Sequence, residues 1–279
     1  MAPATQTFAD NPRTPAAPAP RAARSVLGAL VALSLAATLV FAGLLACMAP
    51  PTTRVLARAT SLDDVSPYTR AELVDLAVAT RDYTVGSHEG DELLRAQAQA
   101  LAAAIEDGRV GLGALGPSPA ELRAASPHRL MTVFAGLPQE LVLDASAVAH
   151  LDDCYAVISL AVRVLGANVL AGALLALACG RVCGTRSCGG ALVAAGAAVL
   201  LAFALLGGWA LADFDGFFGV FHSLFFAQGT WKFPWDSLLI CMYPDAFWYG
   251  MAAVWVATSC LLSAACVAGG LALRRGARG

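Results

Sequence analysis

The run Ser25–Met48 reads SVLGALVALSLAATLVFAGLLACM and contains no charged residue. As a helix rising 1.5 Å per residue it is long enough to cross a hydrocarbon layer of roughly 30 Å. Two more uncharged runs follow, Gly189–Ala212 and Ala246–Leu273, and a fourth, Cys154–Gly180, holds only Arg163. Inside lipid a backbone must satisfy its own hydrogen bonds, which a helix does within itself. The pattern therefore predicts an all-α membrane protein with four transmembrane helices, over 25–48, 154–180, 189–212 and 246–273. Hydrophobic residues make up 58% of the 279 and charged ones 14%, far from the roughly 25% charge of soluble domains.

The connecting segments differ in sign. The tail 1–24 carries Arg13, Arg21 and Arg24 against Asp10; the turn 181–188 carries Arg181 and Arg186; the end 274–279 carries Arg274, Arg275 and Arg278. By contrast, Thr52–Asp153 holds 15 Asp/Glu against 8 Arg, and Asp213–Asp245 holds four Asp against Lys232. Excess Lys/Arg marks the cytoplasmic side. Both termini are thus expected in the cytoplasm, with any active site at the outer face. Leu44-Leu45-Ala46-Cys47 resembles a lipoprotein processing site, but the apolar run exceeds a signal peptide's, so an uncleaved anchor is expected.

The Ala/Pro-rich stretch 1–24 reads as a disordered cytoplasmic tail. The connection 49–153 is expected to form a small, mostly helical extracytoplasmic subdomain between the first two spans. Thr69 and Glu72, and Ser118 and Glu121, have capping-box spacing, the second with Pro119 at the first helical position. Ser87 is read as the cap of a helix ending at Gly108. Leu130–Phe134 and Glu140–Leu143 read as a short hairpin or extended pair, and Asp144 or Ser146 as the start of a helix running into the second span. The segment 213–245 is an aromatic interfacial loop. Twelve of the chain's aromatic residues fall within 212–248, and such rings settle at a membrane–water boundary.

Four histidines are available. His88 and His128 read as solvated loop residues. His150 precedes the second span in His150-Leu-Asp-Asp153, where Asp153 at i+3 shares its helical face and is positioned to orient the imidazole. His222 lies in Phe221-His-Ser-Leu-Phe-Phe226, among rings that would restrict water. Polar groups in apolar surroundings are costly unless partnered and are often kept for use. Arg163, the lone charge within a span, is read as snorkelling, pairing with an acid, or binding a lipid head group or carbonyl oxygen. The eight cysteines form no framework. Cys179, Cys183 and Cys188 lack the close spacing of a zinc site, and a Cys154–Cys241 disulfide is conceivable. No Gly-x-Ser-x-Gly, phosphate-binding Gly-Lys-Ser/Thr or His-Glu-x-x-His occurs, so elbow-type serine hydrolases, nucleotide-driven pumps and gluzincins are unsupported.

Phe221-His222-x-Leu224-Phe225-Phe226, then Trp231, Pro234, Asp236, Leu239-Ile240, Pro244 and Phe247, resembles the signature of a bacterial family of four-span membrane proteins that includes the lipoprotein intramolecular transacylases. His150 and Asp153 match that family's His-x-x-Asp element before the second span. Asp64, Tyr68, Glu72-Leu73 and Tyr83 resemble the start of its outer domain. Cys154 and Tyr155 stand where an aliphatic and a basic residue are common, and Ala147 where an acid often precedes the histidine.

The resemblance implies transfer of an acyl chain from the glyceryl sn-2 ester to the α-amine of a lipoprotein's N-terminal diacylglyceryl-cysteine, giving the lyso form. Its partners would be that lipoprotein N-terminus and membrane lipid, without cofactor, metal, nucleotide or nucleic acid. His150, His222 and Asp153 are the expected catalytic residues, with either histidine as base or nucleophile and the other as oxyanion donor. Phe221, Phe225, Phe226, Trp231, Arg163 and Asp236 are the expected substrate-binding ones. A metal-dependent membrane hydrolase and a non-enzymatic scaffold or sensor are the competing readings.

Overall fold

The computed structural model describes residues 20–113, 116–227 and 229–276; most of the expected disordered tail lies outside them. Four helices are long and apolar enough to cross a membrane: α1 (Arg21–Met48), α7 (Ala145–Cys183), α8 (Thr185–Ala212) and α11 (Asp245–Gly276). Between α1 and α7 lie α2 (Pro50–Thr60), α3 (Arg70–Val85), α4 (Gly90–Glu106), α5 (Pro119–Ala124) and α6 (Pro127–Phe134). Between α8 and α11 lie α9 (Phe214–Ser223) and α10 (Leu238–Met242). Every regular element among the described residues is helical. This is a multi-pass, all-α membrane protein.

Within the bundle α1 packs against α7, α8 and α11, and the largest contact is between α8 and α11. Lipid offers no hydrophobic drive for helices to associate, so close packing of small residues and interhelical hydrogen bonds hold them. A Cβ on Gly189 would come within 2.7 Å of the Gly270 carbonyl oxygen, and one on Gly270 within 2.6 Å of that of Gly189. One turn pair further along, a Cβ on Gly196 would meet the Ser263 carbonyl oxygen at 2.5 Å. The polar ties are equally specific. Asn168 on α7 donates to the Ser34 carbonyl (3.0 Å) while Ser34 Oγ donates back to that of Asn168 (3.2 Å). Trp255 Nε1 on α11 donates to Val40 of α1 at 2.9 Å. At the tight α7–α8 turn Gly184 adopts φ 77°, a conformation that costs other residues strain.

Both expected capping boxes form, on α3 and α5, and Asp144 caps α7 as a single helix that enters the span. Three local readings are corrected. Residues 50–60, given no structure from sequence, form α2, opened by Pro50 and Pro51 in its first turn. Leu130–Phe134 is the body of α6 and not a strand; Ser126 caps it and Pro127 leads it. Ser87 caps nothing, because His88 takes a left-handed φ of 59° and α4 begins only at Gly90.

One apolar core lies beyond this end of the bundle. It gathers Tyr68, Leu73, Leu76, Leu101, Leu122 and Leu130, and is completed by Leu151 of α7 and by Leu238, Met242, Tyr243 and Phe247. The connection 49–153 therefore does not close its core alone. Backbone bonds stitch the two connections together: Leu238 donates to Gln139 (2.9 Å) and Leu62 to Cys241 (3.0 Å). Tyr243 Oη donates to the Ala77 carbonyl, and Tyr68 Oη to that of Leu141, each at 2.5 Å. Arg81 places its guanidinium on the Met48 carbonyl, a cation at the negative C-terminal end of α1.

Candidate active site

His150 and His222 come from opposite ends of the sequence gap and meet around one ring. His150 stands in the second turn of α7, ahead of the apolar stretch 154–180. His222 stands in the last turn of α9. The short helix exists because Asp213, extended at φ −154°, ends α8 and caps α9, accepting from Gly216 N at 2.9 Å. A Cβ at 216 would overlap that carboxylate, so glycine leaves room for the cap as it stands.

Phe226 is the common neighbour, its centroid 4.9 Å from His150 in an edge-on contact and 5.7 Å from His222. Phe233 lies 5.7 Å from His150, and Trp231 stacks on His222 at 4.6 Å. Phe218 and Phe221 complete the wall around His222, at 3.9 and 5.4 Å. Burial pushes the His222 pKa down from its ordinary value, against the upward pull of its hydrogen bond to the Phe218 carbonyl. His150 is also pushed down, first by burial, then by the neighbouring His222, with Asp153 opposing. That mutual effect fits two imidazoles in one site, where two positive charges disfavour each other.

The hydrogen bonds distinguish the two rings. His222 Nδ1 lies 2.8 Å from the Phe218 carbonyl oxygen, which can only accept, so Nδ1 carries the proton and Nε2 keeps its lone pair. His150 Nε2 faces Cys154 Sγ at 3.5 Å, while its Nδ1 is buried with no partner among the described residues.

The other expected site residues divide. Phe221, Phe225, Phe226 and Trp231 belong to the wall, and Phe221 (39% exposed), Phe225 (48%) and Leu224 (72%) present an apolar face outward. Asp153 is exposed and makes no hydrogen bond to His150 among the described residues; it acts on the ring through space alone. Asp236 makes no hydrogen bond to either histidine among the described residues. Its carbonyl accepts from Cys241 Sγ at 3.6 Å, and its charge, after burial, helps push that thiol up to about 11. Arg163 is not brought to the histidines either. Thirteen residues along α7, it sits about 20 Å away and on the far side of the helix, in a separate crevice of about 260 Å³ with Met48, Gly86, Tyr155 and Ser159.

His88 is not a solvated loop residue. Its ring is sandwiched between Tyr83 (4.3 Å) and Tyr155 (3.8 Å), with Nδ1 2.8 Å from the Tyr83 carbonyl and Nε2 3.7 Å from Asp152. It fastens the α3–α4 turn to α7. Cys154 and Cys241 are free thiols, so the conceivable disulfide is absent. Phe233 and Cys154 are neighbours of His150 that sequence reasoning passed over. The i, i+4 spacing of Cys154 from His150 was the available signal. Among the described residues, no three His, Cys, Asp or Glu side chains gather as metal ligands.

Residues 127–248 match the family model for lipoprotein intramolecular transacylase Lit. The segment runs from the start of α6 to the first turn of α11, a little under half the chain, and includes both imidazoles and the whole aromatic wall. The weaker likeness at Asp64, Tyr68 and Tyr83 lies outside it. No curated protein and no solved structure matches the chain. At the level of the family, the role resembled is acyl transfer within a lipoprotein by a membrane enzyme.

Proposed function

We propose that the His150–His222 site transfers an acyl chain from the glyceryl sn-2 ester of a lipoprotein's diacylglyceryl-cysteine to that cysteine's α-amine. The observation that carries this reading is the complementary state of the two rings. An α-ammonium of pKa about 8 must lose a proton before it attacks an ester. His222 Nε2, its lone pair free because Nδ1 is committed to Phe218, is the base. Its lowered pKa keeps it neutral at physiological pH.

The tetrahedral intermediate needs a donor aimed at its oxygen. A protonated Cys154 thiol donating to His150 Nε2 leaves the proton on Nδ1, the buried and unpartnered atom. His150 is then the donor. With the ammonium proton released to solvent, the amine nitrogen bonds to the acyl carbon, neutral His222 takes the proton that nitrogen must then shed, and the carbon–oxygen bond to glycerol breaks as His222 passes this proton to the leaving oxygen. An amide replaces an ester, which is downhill and needs no nucleotide.

The aromatic face of α9 and the following loop would hold the acyl chains at the membrane boundary. The basic groups Arg181, Arg186, Arg274 and Arg275 lie at the opposite end of the bundle, supporting an outward-facing site by the positive-inside rule. Mass spectrometry of lipoprotein N-terminal peptides, from cells expressing the chain, tests the proposal. Conversion of diacyl to lyso form is expected, and its loss in His150→Ala and His222→Ala. Unchanged lipopeptides despite good expression would sink it.

A further inference from the structure

Six buried side-chain polar atoms lack a partner among the described residues, and two of them belong to this one site: His150 Nδ1 and Trp231 Nε1. An indole N–H is a donor and nothing else. Burying it unpaired in the resting protein is unfavourable, and such exceptions call for a reason. Trp231 is not there merely to exclude water from His222, since a phenyl ring would stack equally well at 4.6 Å. Lys232 Nζ lies 5.2 Å from the same indole centroid; a cation over the ring draws on its π electrons and makes the N–H a stronger donor.

We propose that Trp231 Nε1–H is the second oxyanion donor, acting beside His150 Nδ1–H. This inference rests on the transacylase reading above. When the amine nitrogen forms its bond to the acyl carbon, the carbonyl π pair moves onto oxygen. That oxyanion accepts from both orphan N–H groups. When it collapses, the C=O bond re-forms, the bond to glycerol breaks, and both donors are released to their unpaired state. A donor unpaired at rest and satisfied only at the intermediate favours the transition state over the ground state, which is the form of binding that accelerates a reaction. A positioned donor of this kind is also pre-organised: the stack on His222 ties its plane to that of the base.

The test is Trp231→Phe, which keeps a ring over His222 and deletes the N–H. Removing one oxyanion donor lowers turnover on the order of 10²-fold, so a fall in kcat of about that size is expected. KM, the acid limb of the pH–rate profile and the thermal midpoint should stay at wild-type values. Incorporating β-(3-benzothienyl)alanine at 231, which retains the bicyclic shape with sulfur in place of N–H, should give the same loss even if the Phe variant folds poorly. Trp231→His, which restores a ring N–H, should recover part of the rate. Wild-type kcat in the benzothienyl protein would overturn the inference, as would a loss confined to KM or accompanied by a shifted acid limb. Lyso product from the wild type with an unimpaired variant would overturn this inference alone. No lyso product from the wild type would overturn it together with the reading it rests on.

Discussion

Asparagine and glutamine separate the two imidazole nitrogens, and they should do so in opposite ways at the two histidines. The Asn amide N–H falls near the position of Nδ1, the Gln amide near Nε2. His222→Asn can still donate to the Phe218 carbonyl, now 2.8 Å from Nδ1, so the end of α9 should keep its shape. What disappears is the lone pair on Nε2. General-base catalysis is worth about 10²–10⁴-fold, or about 3–5 kcal/mol of barrier, and that is the expected loss. At position 150 the same change keeps an N–H where the buried Nδ1 stands and gives up only the 3.5 Å contact to Cys154. A thiol is a weak donor, so His150→Asn should retain activity within about tenfold, whereas His150→Gln, which moves the N–H away, should lose about 10²–10³-fold. The assay is the rate of lyso-lipopeptide formation in membranes, followed by mass spectrometry at matched protein level. If His150→Asn is as inactive as His222→Asn while His150→Gln survives, the roles are exchanged and the tautomer argument is refuted.

Three further outcomes follow from the same geometry. Because burial holds the His222 pKa below its ordinary value near 6.5, the base stays unprotonated to lower pH. On its acid side kcat/KM should fall first with the substrate amine, near pH ~8, and steepen only below pH ~6.5 as His222 takes up its proton; steepening at a higher pH would contradict the burial of the ring. Gly196→Leu would force a side chain where a Cβ already meets the Ser263 carbonyl oxygen at 2.5 Å and Val267 Cγ2 at 2.8 Å. It should destabilise the α8–α11 pair by about 1–3 kcal/mol, seen as a lowered melting midpoint in detergent and failing if that midpoint is unchanged. Arg163→Gln, in its separate crevice, should leave the rate of lyso formation within about threefold. A loss like that of a histidine variant would place Arg163 back in the site.

The four spans were legible because charge is excluded over stretches far longer than a soluble helix buries, and nothing about tertiary packing is needed to see that. Caps were legible where the signal is local: Thr69 with Glu72 and Ser118 with Glu121 act within one turn. What escaped notice depended on partners distant in sequence. α2 carries only Thr53 and Ala57 as buried residues, too weak a stripe to mark a helix until the core supplies its other wall. His88 looked solvated because Tyr155 and Asp152, which hold it, are more than sixty residues away. At the site, the two histidines were readable from their position at the edges of apolar runs. Asp153 acts on His150 by charge alone: an i+3 neighbour shares a helical face, but here the interior side of that face belongs to Phe226 and Phe233, and the carboxylate remains in the open. The complementary protonation proposed for the rings rests on a backbone carbonyl and a thiol, neither of which a residue pattern weights.

The shared core has a consequence for how the protein is made. Helices α2–α6 leave the ribosome long before Leu238, Met242 and Phe247, yet those residues complete the apolar interior that α2–α6 line. Until α8 has been inserted and the chain has returned through α9, this region stays open on one side, and His222 has not reached Phe226 beside His150. Biogenesis thereby acts as a safety catch. A nascent or truncated chain carries one imidazole without the other, so on the proposed reading ester chemistry at the bilayer would be withheld until insertion is complete.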